Sequence, residues 1–440
     1  MGNHFFNIIM DMLDELPVVS SHEHHLPDAI HRQMSLDKIL DYSYIGWYAG
    51  RKNKPFAQTI QEDPLLQVHK MDPLHALPDD DWSIGPQKLA AQRAEFLDKF
   101  GVNSYWVWLE RGIQKIYGLR EPISPKNWES VSRQITHKHS QPLAHLDIMR
   151  EHGVYQHAVQ DTYWDYSSDL AHPDFFSPAM RTDMFVTCSS PGMRDHDLNN
   201  PFITYPDAPR DDLDDYLEYL KKRFTTWREN GAAALKCASA YERPLQFGEP
   251  DREGAARVFG QPLETLKPGD RLAFGDFMFH WFCELAQELD VPFQVHTGLA
   301  DLAGSNPMLF QPVIKRYPAV TFVLFHIGYP WYQQIAGLAH NHSNVYIDMV
   351  WAPLISTTAS VHALAQYLEA AQTSDSIGWG SDAWTAEEAV GAVLAWKHVI
   401  ARVLADKLES GYLNMAKAES LASKWMYINN ARLYGFPPSR

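Results

Sequence analysis

The amino-acid sequence predicts an α/β protein, a (β/α)8 TIM barrel with a long, mostly helical insertion after its first strand. Short runs rich in β-branched and aromatic residues alternate with longer helical stretches, a pattern typical of parallel strands joined by helices. Eight such runs can be counted, as a closed barrel requires. No tandem repeat or long linker divides the 440 residues, so we expect a single domain over residues 1–440.

The predicted strands follow one another in order along the chain. The first comes after a predicted helix, Phe5–Leu16, and the proline that ends it. From about residue 30 to residue 139 the pattern is irregular and rich in aromatic and charged residues, and we interpret this segment as the insertion. The strands are predicted at Pro17–Ser21, Gly153–Asp161, Met184–Cys188, Ala232–Cys237, Val291–His296, Val320–His326, Asn344–Asp348 and Ser376–Gly380.

Two of the connecting helices carry recognisable ends. The helix Asp211–Asn230 begins on a pair of aspartates, which the positive N-terminal end of a helix favours, and stops before Gly231. The helix Asp270–Leu289 follows a Pro-Gly turn, with Asp270 as its expected N-cap. Further helices are predicted at Gln87–Phe100, Pro142–His152, Pro307–Tyr317, Tyr329–Asn341, Thr358–Ala371 and from Ala386 to Leu433.

The charge balance argues against two classes of partner. Lys and Arg number 38 and Asp and Glu 54, a net charge of −16, whereas nucleic acids and anionic membranes bind basic surfaces. We therefore expect a small-molecule substrate, no nucleic acid and no membrane. Three scattered cysteines without a CxxC pair, and an N-terminus without the pattern of a secretory signal, predict a reducing, cytoplasmic location.

Polar side chains stand at the carboxyl ends of five predicted strands. Because all these ends open on one mouth of a parallel barrel, we expect the side chains to converge there. His22 and His24 follow the first strand, and residues two apart on a strand point to the same face. The partners from the fourth, fifth, sixth and eighth strands are Lys236, His296, His326 and Asp382.

This residue set predicts a divalent metal site. Imidazole and carboxylate together suit Zn²⁺ first, and also Mn²⁺ or Fe²⁺. Such an ion makes a bound water acidic enough to act as a nucleophile near neutral pH. Asp382, beside that water, would act as general base and then as proton donor to the leaving group.

Each residue has a simpler explanation when it is taken alone. An HxH pair can arise by chance among 21 histidines, and His296 or His326 could be an ordinary hydrogen-bonded histidine at a barrel mouth. Lys236 could form a buried ion pair, and Asp382 could cap the helix that starts at Ala386. Their conjunction in strand order favours a site.

The sequence around the strand ends adds a family resemblance. The stretches that carry it are Leu235–Arg243, Gln294–Gly298, Leu324–Pro330, Asn344–Trp351, Trp379–Ala383 and Asn430–Gly435. Together they resemble the amidohydrolase superfamily, in particular its second large branch and the nodulin-type domain found fused to glutamine synthetase. The resemblance covers most of the chain outside the insertion and is strongest from Ala232 onward.

The resemblance implies two possible ligand sets. In the first, the His22/His24 pair and Asp382 hold the more buried ion, Lys236 is carboxylated by CO2 to a bridging carbamate, and His296 and His326 hold a second ion. In the second, Lys236 is unmodified, and the first-strand pair binds a single ion with His296 and Asp382. His326 would then polarise a substrate carbonyl or transfer a proton.

Three residues near the strand ends are candidates for substrate binding. Tyr241 and Arg243 follow Lys236 in the same loop and would clamp a substrate carboxylate, since a forked guanidinium suits that group. A core tyrosine and a surface arginine are the alternative. Trp384 would wall the pocket. His25, beside the ligands, is expected to pack or to orient them rather than to bind metal.

The insertion is expected to decide the substrate. It either covers the barrel mouth as a lid or forms the interface of a homo-oligomer, and we expect the protein to be a homo-oligomer. Its most prominent side chains are Trp47, Tyr48, Trp106, Trp108 and Arg111.

We predict a metal-dependent hydrolase that cleaves an amide, ester or lactone bond of a small, carboxylate-bearing substrate. A metal-dependent non-oxidative decarboxylase, a uronate-type isomerase and a binding protein that has lost catalysis are the alternatives. Lys236 favours hydrolysis, because a lysine on the fourth strand has an evident use in a two-metal site and none in the isomerase.

Overall fold

Parallel strands form the centre of the protein in a computed structural model, which describes residues 3–49 and 86–436. Within these ranges eight strands pair in chain order, each parallel to the next. The last strand returns to the first through backbone hydrogen bonds, from Ser21 N to Trp379 O and from Asp382 N to His22 O, both 3.0 Å long. The strands are β1 Val18–Glu23, β2 Tyr155–Gln160, β3 Phe176–Arg181, β4 Ala234–Cys237, β5 Phe293–Val295, β6 Phe322–Leu324, β7 Val345–Asp348 and β8 Ile377–Gly378. The predicted barrel is confirmed.

The third strand differs from its prediction. Residues 184–187 lie in a short helix, Asp183–Thr187, which Cys188 follows, and the strand runs over Phe176–Arg181 instead. The buried run Phe185-Val186 has the composition of a strand, whereas Pro178 and Arg181 give the true strand an unusual sequence.

Helices connect the strands, mostly at the positions predicted. The N-terminal helix is Asn3–Asp14. After the insertion the α-helices are Ala144–Gly153, Asp183–Thr187, Pro201–Thr204, Leu213–Glu229, Arg252–Val258, Pro268–Glu288, Gln311–Arg316, Tyr332–Asn341, Ala352–Ile355, Thr357–Ala370, Ala386–Glu409, Met415–Ser423 and Asn429–Tyr434. Among the described residues, no helix is long and apolar enough to cross a bilayer.

One capping expectation is corrected and one alternative is excluded. The helix Pro268–Glu288 has Lys267 at its N-cap, and Asp270 lies inside the first turn, where its carboxylate accepts the backbone N–H of Lys267 at 2.9 Å. The helix Ala386–Glu409 is capped by Thr385, whose hydroxyl accepts the N–H of Glu388. Asp382 is therefore not a helix cap.

The described parts of the insertion are mostly helical. They comprise Asp28–His31, Leu36–Asp41, Tyr44–Tyr48, Pro86–Phe100, Ser104–Tyr117 and Trp128–His139. Residues 50–85 and the side chains of Trp47 and Tyr48 lie outside the described part of the structure. Trp106 and Trp108 are buried, and the guanidinium of Arg111 lies 4.6 Å over the Trp108 ring. A lid or an oligomer interface formed by this segment stays a prediction.

Glycines bring one insertion helix against the outside of the barrel. A Cβ on Gly112 would lie 2.5 Å from the carbonyl oxygen of Glu387, and one on Gly391 would lie 2.4 Å from that of Trp108. The helices Ser104–Tyr117 and Ala386–Glu409 therefore pack backbone to backbone, which fixes the insertion relative to the segment that follows β8.

Candidate metal centre

His22, in β1, and His24, directly after it, each have an acceptor oxygen next to Nδ1. Nδ1 of His22 lies 3.0 Å from Oε1 of Gln294, and Nδ1 of His24 lies 2.9 Å from the carbonyl oxygen of Asp161. The Gln294 amide is oriented by its own NH2 group, which donates to Ser21 O and Tyr434 Oη, so its oxygen must accept from His22. Each neutral ring carries one proton, and here both protons sit on Nδ1.

The bare nitrogens face carboxylate oxygens. Nε2 of His22 lies 3.4 Å from Asp161 Oδ2 and 3.7 Å from Asp382 Oδ1, and Nε2 of His24 lies 3.4 Å from the same Asp382 oxygen. Burial, followed by the charge of Lys236, lowers the pKa of His22 to about 4, so the ring is neutral at pH 7. Within the described residues, His22 Nε2 has no hydrogen-bond partner although it is fully buried.

Lone pairs of two imidazole nitrogens and a carboxylate oxygen repel one another when no proton lies between them, and a bound cation would relieve that repulsion. His22, His24 and Asp382 can each bring one ligand atom within 4.8 Å of the others. Two imidazoles and a carboxylate are ordinary ligands of a catalytic zinc site, which leaves a further position for water or substrate. The donor set therefore fits the divalent ion that the sequence predicts.

Asp382 is held in place by its own backbone and by Tyr44. Its φ of 63° lies in the left-handed region, which is costly for a residue other than glycine and is found at functional sites. The Tyr44 hydroxyl donates to Oδ2 at 2.6 Å, while Oδ1 faces the imidazoles. Tyr44 comes from the insertion, and the sequence did not single it out.

Glu23, between the two ligand histidines, fastens the loop that carries Asp382. Its fully buried carboxyl group accepts the backbone N–H of Ala383 at 3.2 Å and bonds to the Ser381 hydroxyl. It also bonds to the hydroxyls of Ser20 and Tyr155. Burial raises the pKa of Glu23 to about 7. The residues on both sides of Asp382 are thus tied to β1.

His296 and His326 form a separate pair. Nε2 of His326 lies 3.0 Å from Nδ1 of His296, and the other nitrogens face the carbonyl oxygens of Val350 and Leu299. Burial lowers the pKa of both rings well below the ordinary value, so each has a single proton. If both protons go to the carbonyls, two lone pairs face each other, and the gap suits a cation or a hydrogen-bond donor of a substrate.

The structure does not bring all the predicted ligands together. Of the predicted ligands that the structure describes, His22, His24 and Asp382 lie close enough to share one ion, and His296 is not in that group. Lys236 is buried, and its Nζ lies 3.7 Å from the centroid of the Phe325 ring. Burial lowers its pKa to about 8, against the opposing effect of the Asp382 and Asp161 charges.

Two further charged residues of the site were missed by the sequence analysis. Arg181, at the end of β3, bonds to Asp161 at 2.6 Å and also pairs with Asp183 and Asp197. Burial raises the pKa of Asp161, but the positive charge of Arg181 opposes this effect, and the pKa is held below its ordinary value. Asp161 directly follows β2, so its position at a strand end was the available signal. Arg181 was not predicted, because the third strand had been placed at residues 184–188 instead of Phe176–Arg181.

The three candidates for substrate binding have different surroundings. Trp384 stacks on His24 at 4.9 Å between ring centroids. Tyr241 lies 4.6 Å from the His296 ring and is 43% exposed, which places it between the pair and solvent. Arg243 is buried and is paired with Asp276, so it is not a surface residue. Its role as a carboxylate clamp stays a prediction.

Comparisons with known proteins agree with this architecture. A family model described as Amidohydrolase matches residues 221–436. The fluG protein of Emericella nidulans is 32% identical over 157 residues, which cover 34% of this chain but only 18% of that protein. This short match leaves the nodulin-type branch a prediction.

Two solved structures share the fold over nearly the whole chain. A uronate isomerase from Thermotoga maritima has a TM-score of 0.73 and 16% identity, covering 98% of this chain and 97% of its own. A candidate metal-dependent hydrolase from Lactobacillus casei has a TM-score of 0.66 and 14% identity, covering 97% of both chains. The matched residues contain β4 to β8 and the ligand candidates on them, so this part of the chain is similar to the amidohydrolase family.

Proposed function

We propose that the protein is a metal-dependent hydrolase that cleaves an amide, ester or lactone bond of a small, carboxylate-bearing substrate. The observation that supports it most is the convergence of Nε2 of His22, Nε2 of His24 and Oδ1 of Asp382. A divalent ion there, most simply Zn²⁺, would polarise the scissile carbonyl and make a water molecule more acidic.

The side chains around this point would transfer the proton, orient the proton carrier and bind the substrate. Asp382 accepts the proton of the attacking water and passes it to the leaving group. The Tyr44 hydroxyl keeps Oδ2 occupied, so that Oδ1 stays directed at the reaction. His326 and His296, which are not in that group, are neutral imidazoles that can bond to a substrate oxygen.

Lys236 is the residue on which the number of ions depends. With its pKa lowered to about 8, about a tenth of the side chain is the neutral amine at pH 7. The amine nitrogen adds to the carbon of CO2 and loses a proton, which gives a carbamate and turns a buried cation into an anion. Such a group would hold a second ion together with His296 and His326.

A second candidate reaction is the isomerisation of a uronate. It is favoured by the separation of the His296/His326 pair from the three ligands, which leaves two neutral rings free for proton transfer between adjacent carbons. Decarboxylation of an aromatic acid is a third outcome of the same test. For all three reactions we propose a cytoplasmic homo-oligomer that acts on a small molecule. Sedimentation of the purified protein will measure its oligomeric state.

The test is a substrate screen with protein loaded with Zn²⁺, Mn²⁺ or Fe²⁺. N-acyl amino acids, γ-glutamyl compounds and lactones are expected to be hydrolysed. Turnover restricted to uronates, or release of CO2 from aromatic acids without any hydrolysis, would contradict the proposal.

Asp382→Asn is expected to lower turnover of the substrate found by at least about 100-fold, because it removes a ligand and the proposed proton carrier. The exposed Asp406→Asn is the matched control and should leave turnover unchanged. Activity of Asp382→Asn within a few-fold of normal would show that the proton-transfer role is wrong.

A further inference from the structure

A second group of buried imidazoles lies where the insertion meets the barrel. His25 directly follows β1, His31 ends the helix Asp28–His31, and His145 lies in the helix Ala144–Gly153. We call these three residues the His31 cluster. Each is at most 3% exposed, and each can bring one ring nitrogen within 4.8 Å of the others. None of them belongs to the ligand set of the barrel mouth.

A carboxylate sets the proton positions in the cluster. Nε2 of His145 donates to Asp28 Oδ1 at 3.1 Å, so Nδ1 of the neutral ring is bare. That Nδ1 lies 2.8 Å from Nε2 of His25. A histidine that binds a metal commonly donates its other N–H to a carboxylate in this way, which orients the ring and raises its basicity.

His31 is the member that ordinary packing does not explain. Its ring packs against both neighbours, with centroids 4.2 Å from His145 and 4.4 Å from His25, while the centroids of those two rings lie 5.0 Å apart. Within the described part of the chain neither of its ring nitrogens has a hydrogen-bond partner. Leaving a buried polar atom unpaired costs about 1–3 kcal/mol, and a phenylalanine would fill the stack without that cost.

We propose that the His31 cluster is a second metal site, which binds a Zn²⁺-like ion through His25, His31 and His145. Imidazoles are preferred ligands of zinc, and three of them with a water or an Asp28 oxygen would complete a tetrahedron. The ion would take the place of the proton now shared between His25 and His145, and it would give His31 the partner that it lacks.

The surroundings of the cluster suit a cation. Asp28 supplies a negative charge and is also bonded to His172 at 2.8 Å. The side chains of Asp28 and His172 are 30% and 17% exposed, so this edge gives an ion a route from solvent. An ion at this place would join the end of β1, the insertion and the helix before β2, and we expect it to stabilise the protein rather than to take part in catalysis.

The first experiment compares metal content in matched variants. His31→Phe keeps an aromatic ring in the stack but removes both nitrogens. The control is His157→Phe, because His157 is half-buried on β2 and its ring lies 4.1 Å from that of Phe436. After dialysis against micromolar Zn²⁺, His31→Phe should contain one equivalent less per chain than the wild type and His157→Phe. Equal zinc in all three proteins would overturn the proposal.

The same samples give a stability readout. Zn²⁺ should raise the Tm of Asp382→Asn, in which the barrel-mouth ion is weakened, and it should raise the Tm of Asp382→Asn/His31→Phe by less. An equal rise in both proteins would contradict a site at His31. This comparison does not use activity, so the failure of the proposed hydrolase would leave it unaffected.

A third measurement needs no variant and so does not depend on how well His31→Phe folds. Crystals of the wild type grown with Zn²⁺ should show an anomalous peak at the zinc absorption edge within about 2.1 Å of a ring nitrogen of each member of the cluster. A peak at the barrel mouth together with none at His25, His31 and His145 would overturn the second site and leave the hydrolase proposal standing.

Discussion

The proton position on His22 and on His24 follows from the acceptor that lies next to Nδ1 of each ring. Gln294 and the Asp161 carbonyl take the two protons, and this leaves Nε2 as the metal-facing atom of both rings. Tyr44 orients Asp382 in a similar way, because its hydroxyl donates to Oδ2 and leaves Oδ1 directed at the imidazoles. These groups touch the ligands and act on an ion only through them.

Tyr44→Phe tests this positioning at the level of one hydroxyl. Loss of the 2.6 Å hydrogen bond should weaken metal binding about 10–100-fold, the usual cost of removing a group that orients a ligand. Competition with a chelator measures the affinity, and Tyr412→Phe, which alters a tyrosine that is 54% exposed, is the control. Equal metal affinity in the wild type and Tyr44→Phe would exclude the role.

The candidate ligands could be predicted from sequence because a residue type at a strand end is a local signal. His22, His24 and Asp382 needed only the strand order to be placed together. Tyr44 could not be found in this way, because its contact with Asp382 joins an insertion helix to the loop after β8. Arg181 was lost for a different reason, since its strand contains a proline and a buried charge and the helix next to it looks more like a strand.

At the scale of elements, the insertion is positioned by a close contact between two helices. Gly112 on Ser104–Tyr117 and Gly391 on Ala386–Glu409 allow the backbones to touch. The sequence predicted a mostly helical insertion, but it gave no sign of this contact, because a glycine inside a helix is by itself evidence only of lower helix propensity.

Gly391→Ala is expected to destabilise the fold by about 1–3 kcal/mol, the usual cost of overpacking, because its Cβ would lie 2.4 Å from Trp108 O. The matched control is Gly337→Ala, in a helix where a Cβ meets nothing within 4 Å. That substitution should raise stability by about 0.5–1 kcal/mol through helix propensity. Urea unfolding measures both, and the same sign for both variants would contradict the close contact.

At the scale of the whole molecule, the net charge of −16 is accompanied by carboxyl groups in the interior. Glu388, in the first turn of Ala386–Glu409, accepts the N–H of Tyr44 at 3.0 Å. Burial raises its pKa to about 8, and the charges of Asp382 and Glu23 add to the effect. The folded protein therefore holds a proton that the unfolded chain releases near pH 4.5.

This difference predicts how stability depends on pH. Between about pH 4.5 and 8 the folded state binds more protons, so the contribution of Glu388 to stability falls as pH rises and levels off above 8. In metal-free protein, Glu388→Gln should make the decline shallower by up to about 1.4 kcal/mol per pH unit. The exposed Glu409→Gln, at the other end of the same helix, should follow the wild type. Unfolding in urea at pH 5 to 9 measures the slopes, and unchanged slopes would show that Glu388 is ionised when folded.

The seam between the first and last strands has a consequence for chain entropy. Glu23 and Ser381, which bond across it, are 358 positions apart, so the seam closes a loop made of most of the chain. The candidate ligands His22, His24 and Asp382 lie on both sides of the same seam. An ion bound there would join the two ends of that loop. Its free energy of binding would therefore also oppose the separation of β1 from β8, which is the step that opens the barrel.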